Sequence, residues 1–378
     1  MAGAGSMIDC CDLIAGLAAR GWNQGSGVPC STFAGPIAHL SASGHYRAAA
    51  NEGLALSGAV GARLAGRREA VFLQNSGLGN LINPLTSLCH PYAVPVLALV
   101  SMRGWPDPAA DEPQHALMGQ TTETILSALG IWHTILTAES LDAALDRAEQ
   151  VISGGRSAFL LLPHRSISQH PGATPALPTG GPDTADVTSA VTDACPPGTA
   201  IFATTGFTSR YLHDAQDRPE NFYMQGSMGH VSSLALGYAN AAPEKTVIVL
   251  DGDGAALMHL GAVSTIGAAQ PANLVHVVID NGGYESTGSQ QSTSGTTDLA
   301  AVAKACGYRA ASTVDTAAAL QQQLASAAAA PGPHFILVRA GRTIRQTPQR
   351  AGASLSLPHI AARLQDATLP AAAAPSHA

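Results

Sequence analysis

The chain has 378 residues, 46% apolar and 12% charged, a formal net charge of −7 and only two lysines, Lys245 and Lys304. That length suits about two domains of roughly 100 to 200 residues, the aliphatic richness suits a large core or subunit contact, and a negative chain without a basic run argues against a nucleic-acid surface, which needs clustered cations. The cysteines at 10, 11, 30, 89, 195 and 306 form no CxxC pair, no basic-then-apolar segment opens the chain, and the apolar run around Ala93 to Val100 falls far short of the roughly 20 residues that span a bilayer, so a reduced, cytoplasmic protein off the membrane is expected.

In the first half, helices are predicted at Met7 to Arg20 and at about Asn51 to Ala65, with strands at Ala70 to Gln74, Val94 to Val100 and Ser157 to Leu162. This alternation reads as βαβ units. The stretch 169–186, rich in proline, glycine and small polar residues, reads as an interdomain linker. Beyond it, strands are predicted near Thr199 to Ala203, Thr246 to Leu250, Val275 to Ile279 and Phe335 to Val338, with helices after Gly229, Ala256 and Asp298. The domains are therefore placed at 1–168 and 187–365, with 366–378 as a frayed tail. The fold class is α/β, two parallel sheets flanked by helices and no middle domain.

Two of these strands end in turns that carry chemistry. One reads TVIVLDGDGAALM and the other NLVHVVIDNGGYESTG. Short unbroken β-branched runs are expected of buried parallel strands, and parallel strands open their carboxyl ends on one edge, where ligands of open α/β sheets bind. Asp253 and Asn281 would then face a common site. One carboxylate, one amide oxygen and a backbone carbonyl freed by glycine are hard ligands that suit an octahedral magnesium completed by phosphate oxygens. Each turn taken alone is ordinary Asp-Gly or Asn-Gly loop chemistry. A nicotinamide site fits poorly, because the GxGxxG pattern meets Leu257 after the first turn and Ile82 after Gly77, and no GxxxxGK[ST] loop is present.

The pair Gly252-Asp253-Gly254 and Asp280-Asn281 resembles the signature of thiamine-diphosphate enzymes, with Asp280 in place of the first of two asparagines. Further blocks resemble the phosphonopyruvate and sulfopyruvate decarboxylases within that family: GVP at 27–29, ANEG at 50–53, QNSGLGNLINPLTSL at 74–88, DEPQH at 111–115, TTGFTSR at 204–210, GSMGH at 226–230 and YESTG at 284–288. The resemblance implies magnesium ligands at Asp253, Asn281 and the carbonyl of Gly283. It implies cofactor contacts at Thr205, Gly206, Ser227, Gly252 and Gly254, with Met228 wedged beneath the bend of the cofactor. It also makes Glu52 the carboxylate that bonds the aminopyrimidine; without the family, Asn51-Glu52 reads as a helix cap and a first-turn acid, and Met228 as core filling.

For a small anionic 2-oxo acid the matching blocks offer Asn75, Ser76, Arg103 and His115, the last also as a proton donor or relay; a structural histidine and a solvated loop arginine are the plainer alternatives. Cys30 replaces the aspartate expected after GVP and Phe207 the lysine expected in TTGxTSR. The implied activity is decarboxylation of 3-phosphonopyruvate to phosphonoacetaldehyde, in phosphonate and antibiotic biosynthesis, by a homo-oligomer with active sites between subunits. Sulfopyruvate decarboxylation, another 2-oxo acid decarboxylase or carboligase, and a regulatory subunit without turnover stand as alternatives. Retention of Glu52, Asp253 and Asn281 together argues against the last.

Overall fold

The computed structural model describes residues 7–168, 180–342 and 347–368. The chain falls into two compact units, residues 1–176 with 286–291, and residues 177–285 with 292–378.

The first unit is built on six parallel strands: β1 (Gln24–Gly27), β2 (Tyr46–Ala48), β3 (Glu69–Gln74), β4 (Leu97–Met102), β5 (Trp132–Ile135) and β6 (Ala158–Pro163), in the order β2-β1-β3-β4-β6-β5. Alternate residues of the central strands feed two separate cores. Phe72, Leu97, Leu99 and Leu160 pack with Leu13, Leu17, Ile37 and Leu145 on one face, while Val71, Leu73, Val100 and Phe159 pack with Leu56, Val60, Leu78 and Leu81 on the other. Burial on both faces is why these strands read as continuous apolar runs rather than alternating ones.

Strand β1 has the sequence QGSG and no apolar signal. Its glycines exist for a steric reason: a Cβ on Gly25 would lie 2.8 Å from the Phe72 ring, and one on Gly27 would run into the Phe72 carbonyl. Closeness to β3, not propensity, makes this segment a strand.

The second unit repeats the plan with β7 (Ala200–Ala203), β8 (Asn221–Tyr223), β9 (Val247–Gly252), β10 (Leu274–Asp280), β11 (Ala310–Val314) and β12 (His334–Arg339), all parallel, in the order β11-β12-β10-β9-β7-β8. Ile201, Ile248, Leu250, Val277, Ile279 and Val338 form the core of one face. Both expected sheets are present, and the fold is α/β. The predicted strands near 70, 94, 157, 199, 246, 275 and 335 fall on β3, β4, β6, β7, β9, β10 and β12 within a few residues.

At the expected linker, a helix already begins at Thr184, capped by a box in which Asp183 and Asp186 exchange side-chain and backbone bonds, so the last positions of 169–186 are helical. Residues 169–179 lie outside the described residues. The terminal helix continues through Thr368, so the start of the expected tail at 366 is ordered helix; 369–378 lie outside the described residues. No helix among those described is long and apolar enough to cross a membrane, and all six cysteines are free.

Candidate active site

In the second unit the chain order reverses between β7 and β9: β8 lies beyond β7 on one side and β10 beyond β9 on the other. The carboxyl edge at such a reversal is where open α/β sheets leave a crevice for ligands. Strand β7 runs into Thr204-Thr205-Gly206, β9 into Gly252-Asp253-Gly254 and β10 into Asp280-Asn281, while the loop after β8 carries Gly226-Ser227-Met228-Gly229. The sheet thus brings every residue expected to contact the diphosphate or its metal to one edge.

Asp253 is 2% exposed. Burial, with the Asp280 charge nearby, raises its carboxyl to about 6, although the hydroxyl of Ser292 donates to Oδ2. Burying a carboxylate is costly unless it is paired or hydrogen-bonded, and Ser292 supplies one such bond. The Asn281 amide is oriented by three contacts: Nδ2 donates to Glu285 Oε2 (3.1 Å), while Oδ1 accepts from Gly283 N–H (3.2 Å) and Arg342 Nη2 (3.4 Å). Carboxylate, amide and carbonyl oxygens, as Asp253, Asn281 and Gly283 carry, are the donor types that could hold magnesium.

The departure at Asp280 is accounted for by its neighbour in register on β12: Arg339 pairs with Oδ2, and Ser294 Oγ donates to Oδ1 at 2.7 Å. Its carboxylate is occupied in bracing two strand ends.

The glycine of the GDG turn is required by a contact. A Cβ on Gly254 would lie 2.5 Å from the Tyr284 ring. Asp251 supports the turn from below, accepting from Gly252 N–H at 2.9 Å while its other oxygen lies 3.5 Å from Nε2 of buried His276, whose Nδ1 meets the Tyr308 hydroxyl at 3.2 Å.

Two further observations suit a phosphate-bearing ligand. The Thr204 hydroxyl is buried with no hydrogen-bond partner among the described residues. Ser227 is held at φ +54°, a conformation side chains rarely adopt, beside Met228, which is half-buried rather than packed away as core filling would have it.

In the first unit the reversal falls between β1 and β3, and the carboxyl edge again carries the polar residues. Glu52 opens the helix Glu52–Leu64, capped by Asn51, whose Oδ1 accepts from Gly53 N–H at 2.7 Å. The helix-cap reading therefore describes both residues, Asn51 as the cap and Glu52 as the first-turn acid, but it does not account for the burial of Glu52, which is 5% exposed. Its Oε2 accepts from Asn80 Nδ2 at 2.8 Å, and Gly77 is a glycine because a Cβ there would strike Oε1. Burial pushes the Glu52 carboxyl above the ordinary glutamate range despite the Asn80 bond.

Asn75, at the end of β3, is fully buried, with both ends of its amide spent on the backbone of Arg103, at 2.9 Å and 3.1 Å. It braces the β3 and β4 ends rather than presenting an open donor. Ser76 is exposed and donates to Gln74 at 2.6 Å.

Arg103 is not a solvated loop residue. Its guanidinium forms a two-bonded pair with Asp111 (2.7 and 2.5 Å) and reaches Glu112 at 3.2 Å. Burial opposes the Arg103 charge, but the two carboxylates outweigh it; burial likewise would raise Asp111, yet the Arg103 bonds hold that acid well below the usual range. His115 is half-buried, with a ring nitrogen within 4.8 Å of carboxylate oxygens of Asp111 and Glu112.

His164, just past β6, was not foreseen. Its Nδ1 meets Thr32 Oγ1 at 3.2 Å, and burial first, then the Arg103 charge, lowers it to about 4, so it is neutral near pH 7. Cys30 is buried and its thiol is raised by that burial. Phe207 lies under the guanidinium of Arg210, 5.3 Å from the ring centre, so a cation remains one turn from where lysine was expected.

The model of the thiamine pyrophosphate enzyme C-terminal TPP-binding domain matches residues 204–338. Over 351 residues, 87% of each chain, the protein is 38% identical to a phosphonopyruvate decarboxylase of Streptomyces hygroscopicus. The chain belongs to the phosphonopyruvate decarboxylase family. It is accordingly a thiamine-diphosphate-dependent decarboxylase, a carboxy-lyase. Relatives of this family also include the sulfopyruvate decarboxylase of Methanosarcina acetivorans, 32% identical over 273 residues, which are 66% of this chain and 70% of that one. Among solved structures, a thiamine diphosphate-dependent 4-hydroxybenzoylformate decarboxylase of Rhodococcus jostii aligns over 89% of this chain and 99% of its own, at 15% identity and a TM-score of 0.37.

Proposed function

We propose that the protein decarboxylates 3-phosphonopyruvate to phosphonoacetaldehyde with magnesium and thiamine diphosphate, as a cytoplasmic homo-oligomer serving phosphonate biosynthesis, including antibiotic biosynthesis. The supporting observation is likeness along 87% of both chains to an enzyme that bears that activity in its name. Thiamine diphosphate supplies the electron sink that takes up the pair left as carbon dioxide departs.

The chain's own residues divide the remaining work. Glu52 is the group that would exchange a proton with the aminopyrimidine, through a carboxyl that burial raises, and Asn80 Nδ2, donating to Oε2, fixes the orientation of that carboxyl. Asp253, Asn281 and the Gly283 carbonyl would hold magnesium. Thr205, Gly206, Ser227 and Gly254 would hold the diphosphate, and Met228 would lie against the cofactor. Arg103 and His115 bind and orient the acid substrate, with the Asp111 and Glu112 carboxylates fixing the guanidinium.

Sulfopyruvate is the second reading, favoured by the Methanosarcina relative. A site for a phosphonate dianion loses charge pairing when the anion carries one charge or none. The expected result in a side-by-side assay is a kcat/KM order of phosphonopyruvate above sulfopyruvate above pyruvate. A preference for sulfopyruvate would reassign the substrate and leave the cofactor site intact; a carboligated product on adding an acceptor aldehyde would move the enzyme to the synthases.

We further infer that Glu52 serves a site whose Asp253, Asn281 and Met228 come from a partner subunit. Mixing Glu52→Gln protein with Asp253→Ala protein should then restore activity that neither has alone, and unrestored activity in a verified mixed oligomer would count against shared sites.

Glu52 also makes a stability prediction. Its folded-state carboxyl is raised by burial, so folding is favoured while the group is protonated and that contribution is lost as pH rises through the folded value. Glu52→Gln, free of cofactor, should melt higher than wild type at alkaline pH, with the gap closing in acid. A gap independent of pH in thermal denaturation would contradict the raised carboxyl.

A further inference from the structure

The YESTG block contains an acid, Glu285, that the decarboxylase reading leaves without a role. Its position is specific. Glu285 is half-buried at the end of the loop after β10, and its Oε2 takes two hydrogens, one from the Thr184 hydroxyl at 3.0 Å and one from Asn281 Nδ2 at 3.1 Å. Across the same amide, Asn281 Oδ1 accepts from Gly283 N–H and lies 3.4 Å from Arg342 Nη2.

A carboxamide has one face that attracts a cation and one that repels it, and the two are nearly equal in shape. Rotation by half a turn would present the NH2 group to the metal and replace an attractive dipole with a repulsive one. Glu285 Oε2, already accepting from the Thr184 hydroxyl, accepts from the NH2 end of the Asn281 amide and so selects that orientation.

We propose that Glu285, anchored by Thr184, is a positioning residue that fixes the Asn281 amide with its oxygen toward the magnesium site. This rests on the reading of Asp253, Asn281 and Gly283 as metal ligands. Arg342 completes the arrangement from the other side. A guanidinium at the oxygen face, in the field of Asp253, Glu285 and Asp280, keeps that face turned outward until a divalent ion replaces it. Neighbours that orient metal ligands typically contribute about 10- to 100-fold in affinity.

The experiment uses the full chain with thiamine diphosphate and no substrate, titrated with Mn2+ while the paramagnetic resonance signal of free Mn2+ is followed. Glu285→Ala is expected to weaken Mn2+ uptake by about 10- to 100-fold. Glu285→Gln keeps an oxygen that can accept from Asn281 and Thr184, and should stay within a few-fold of wild type. Equal losses in the two variants would overturn the proposal, since the effect would then be one of charge; so would wild-type affinity in Glu285→Ala. Should Glu285→Ala fail to fold, Thr184→Val tests the same device by releasing the anchor, with several-fold weaker uptake expected and unchanged uptake overturning it. A wild-type protein that takes up no Mn2+ in a cofactor-dependent way would instead overturn the metal-ligand reading itself.

Discussion

Glu52→Gln is expected to lower turnover by about 10²-fold or more, equivalent to about 2.7 kcal/mol of transition-state stabilisation, while thiamine diphosphate affinity changes far less. Glutamine fills the same volume against Gly77 and can still accept from Asn80, so packing at the helix start should survive. What it cannot do is hold or release a proton. Because the wild-type carboxyl is raised by burial rather than by a charged neighbour, its task depends on being ionisable in a dry place. General acid-base groups of this kind contribute about 10² to 10⁴. The check is steady-state kcat for carbon dioxide release beside a cofactor titration of the same preparations. Near wild-type turnover would reduce Glu52 to a buried first-turn acid.

The elements that were legible in the sequence are those whose burial on both faces writes an unbroken apolar run, such as Val247–Gly252 and Leu274–Asp280. The strands Gln24–Gly27 and Tyr46–Ala48 were not, because one is defined by glycines that admit Phe72 and the other is three residues long at the sheet's edge. The two turns of the candidate metal site stood out for a related reason: acidic or amide oxygen beside glycine, directly after such a run, is visible without knowing the partners.

The supporting residues were hidden. Asn80, His164, Ser292 and Arg342 lie far in sequence from the groups they touch. Nothing in local pattern ties Asn80 to Glu52; only the helix–helix packing of the first unit does. Arg103 shows a related gap: the cation was visible in the sequence, but its pairing with Asp111 and Glu112, which holds the guanidinium in place, was not. The short spacing between Arg103 and the DEPQH block was the available signal, since opposite charges eight and nine positions apart can fold back on one another.

Removal of both thiamine diphosphate and divalent metal is expected to abolish turnover, and neither alone should restore it. The reason lies in the charges at the carboxyl edge of the second sheet. Asp253 is buried, Asp280 stands close enough to raise it, and Glu285 is itself raised by burial. A diphosphate brought to that edge alone would face these acids, of which Asp280 is paired with Arg339 and the others have Arg342 nearby. A divalent ion alone would find three protein oxygens, about half of an octahedral shell.

Each component therefore completes the other's site, and binding should be cooperative. Two readouts follow. Activity of chelated, dialysed protein should return only when both are added. The melting temperature should rise with the pair together by much more than with either singly, since a ligand at about 100 times its dissociation constant adds about 2.7 kcal/mol to folding stability. Asp253→Asn keeps the shape and one oxygen but removes the charge that magnesium must offset, so the paired ligands should lose most of their effect on melting in that variant. Full activity after exhaustive stripping, or an equal thermal shift with thiamine diphosphate in the presence of chelator, would rule out a magnesium-bridged diphosphate at Asp253.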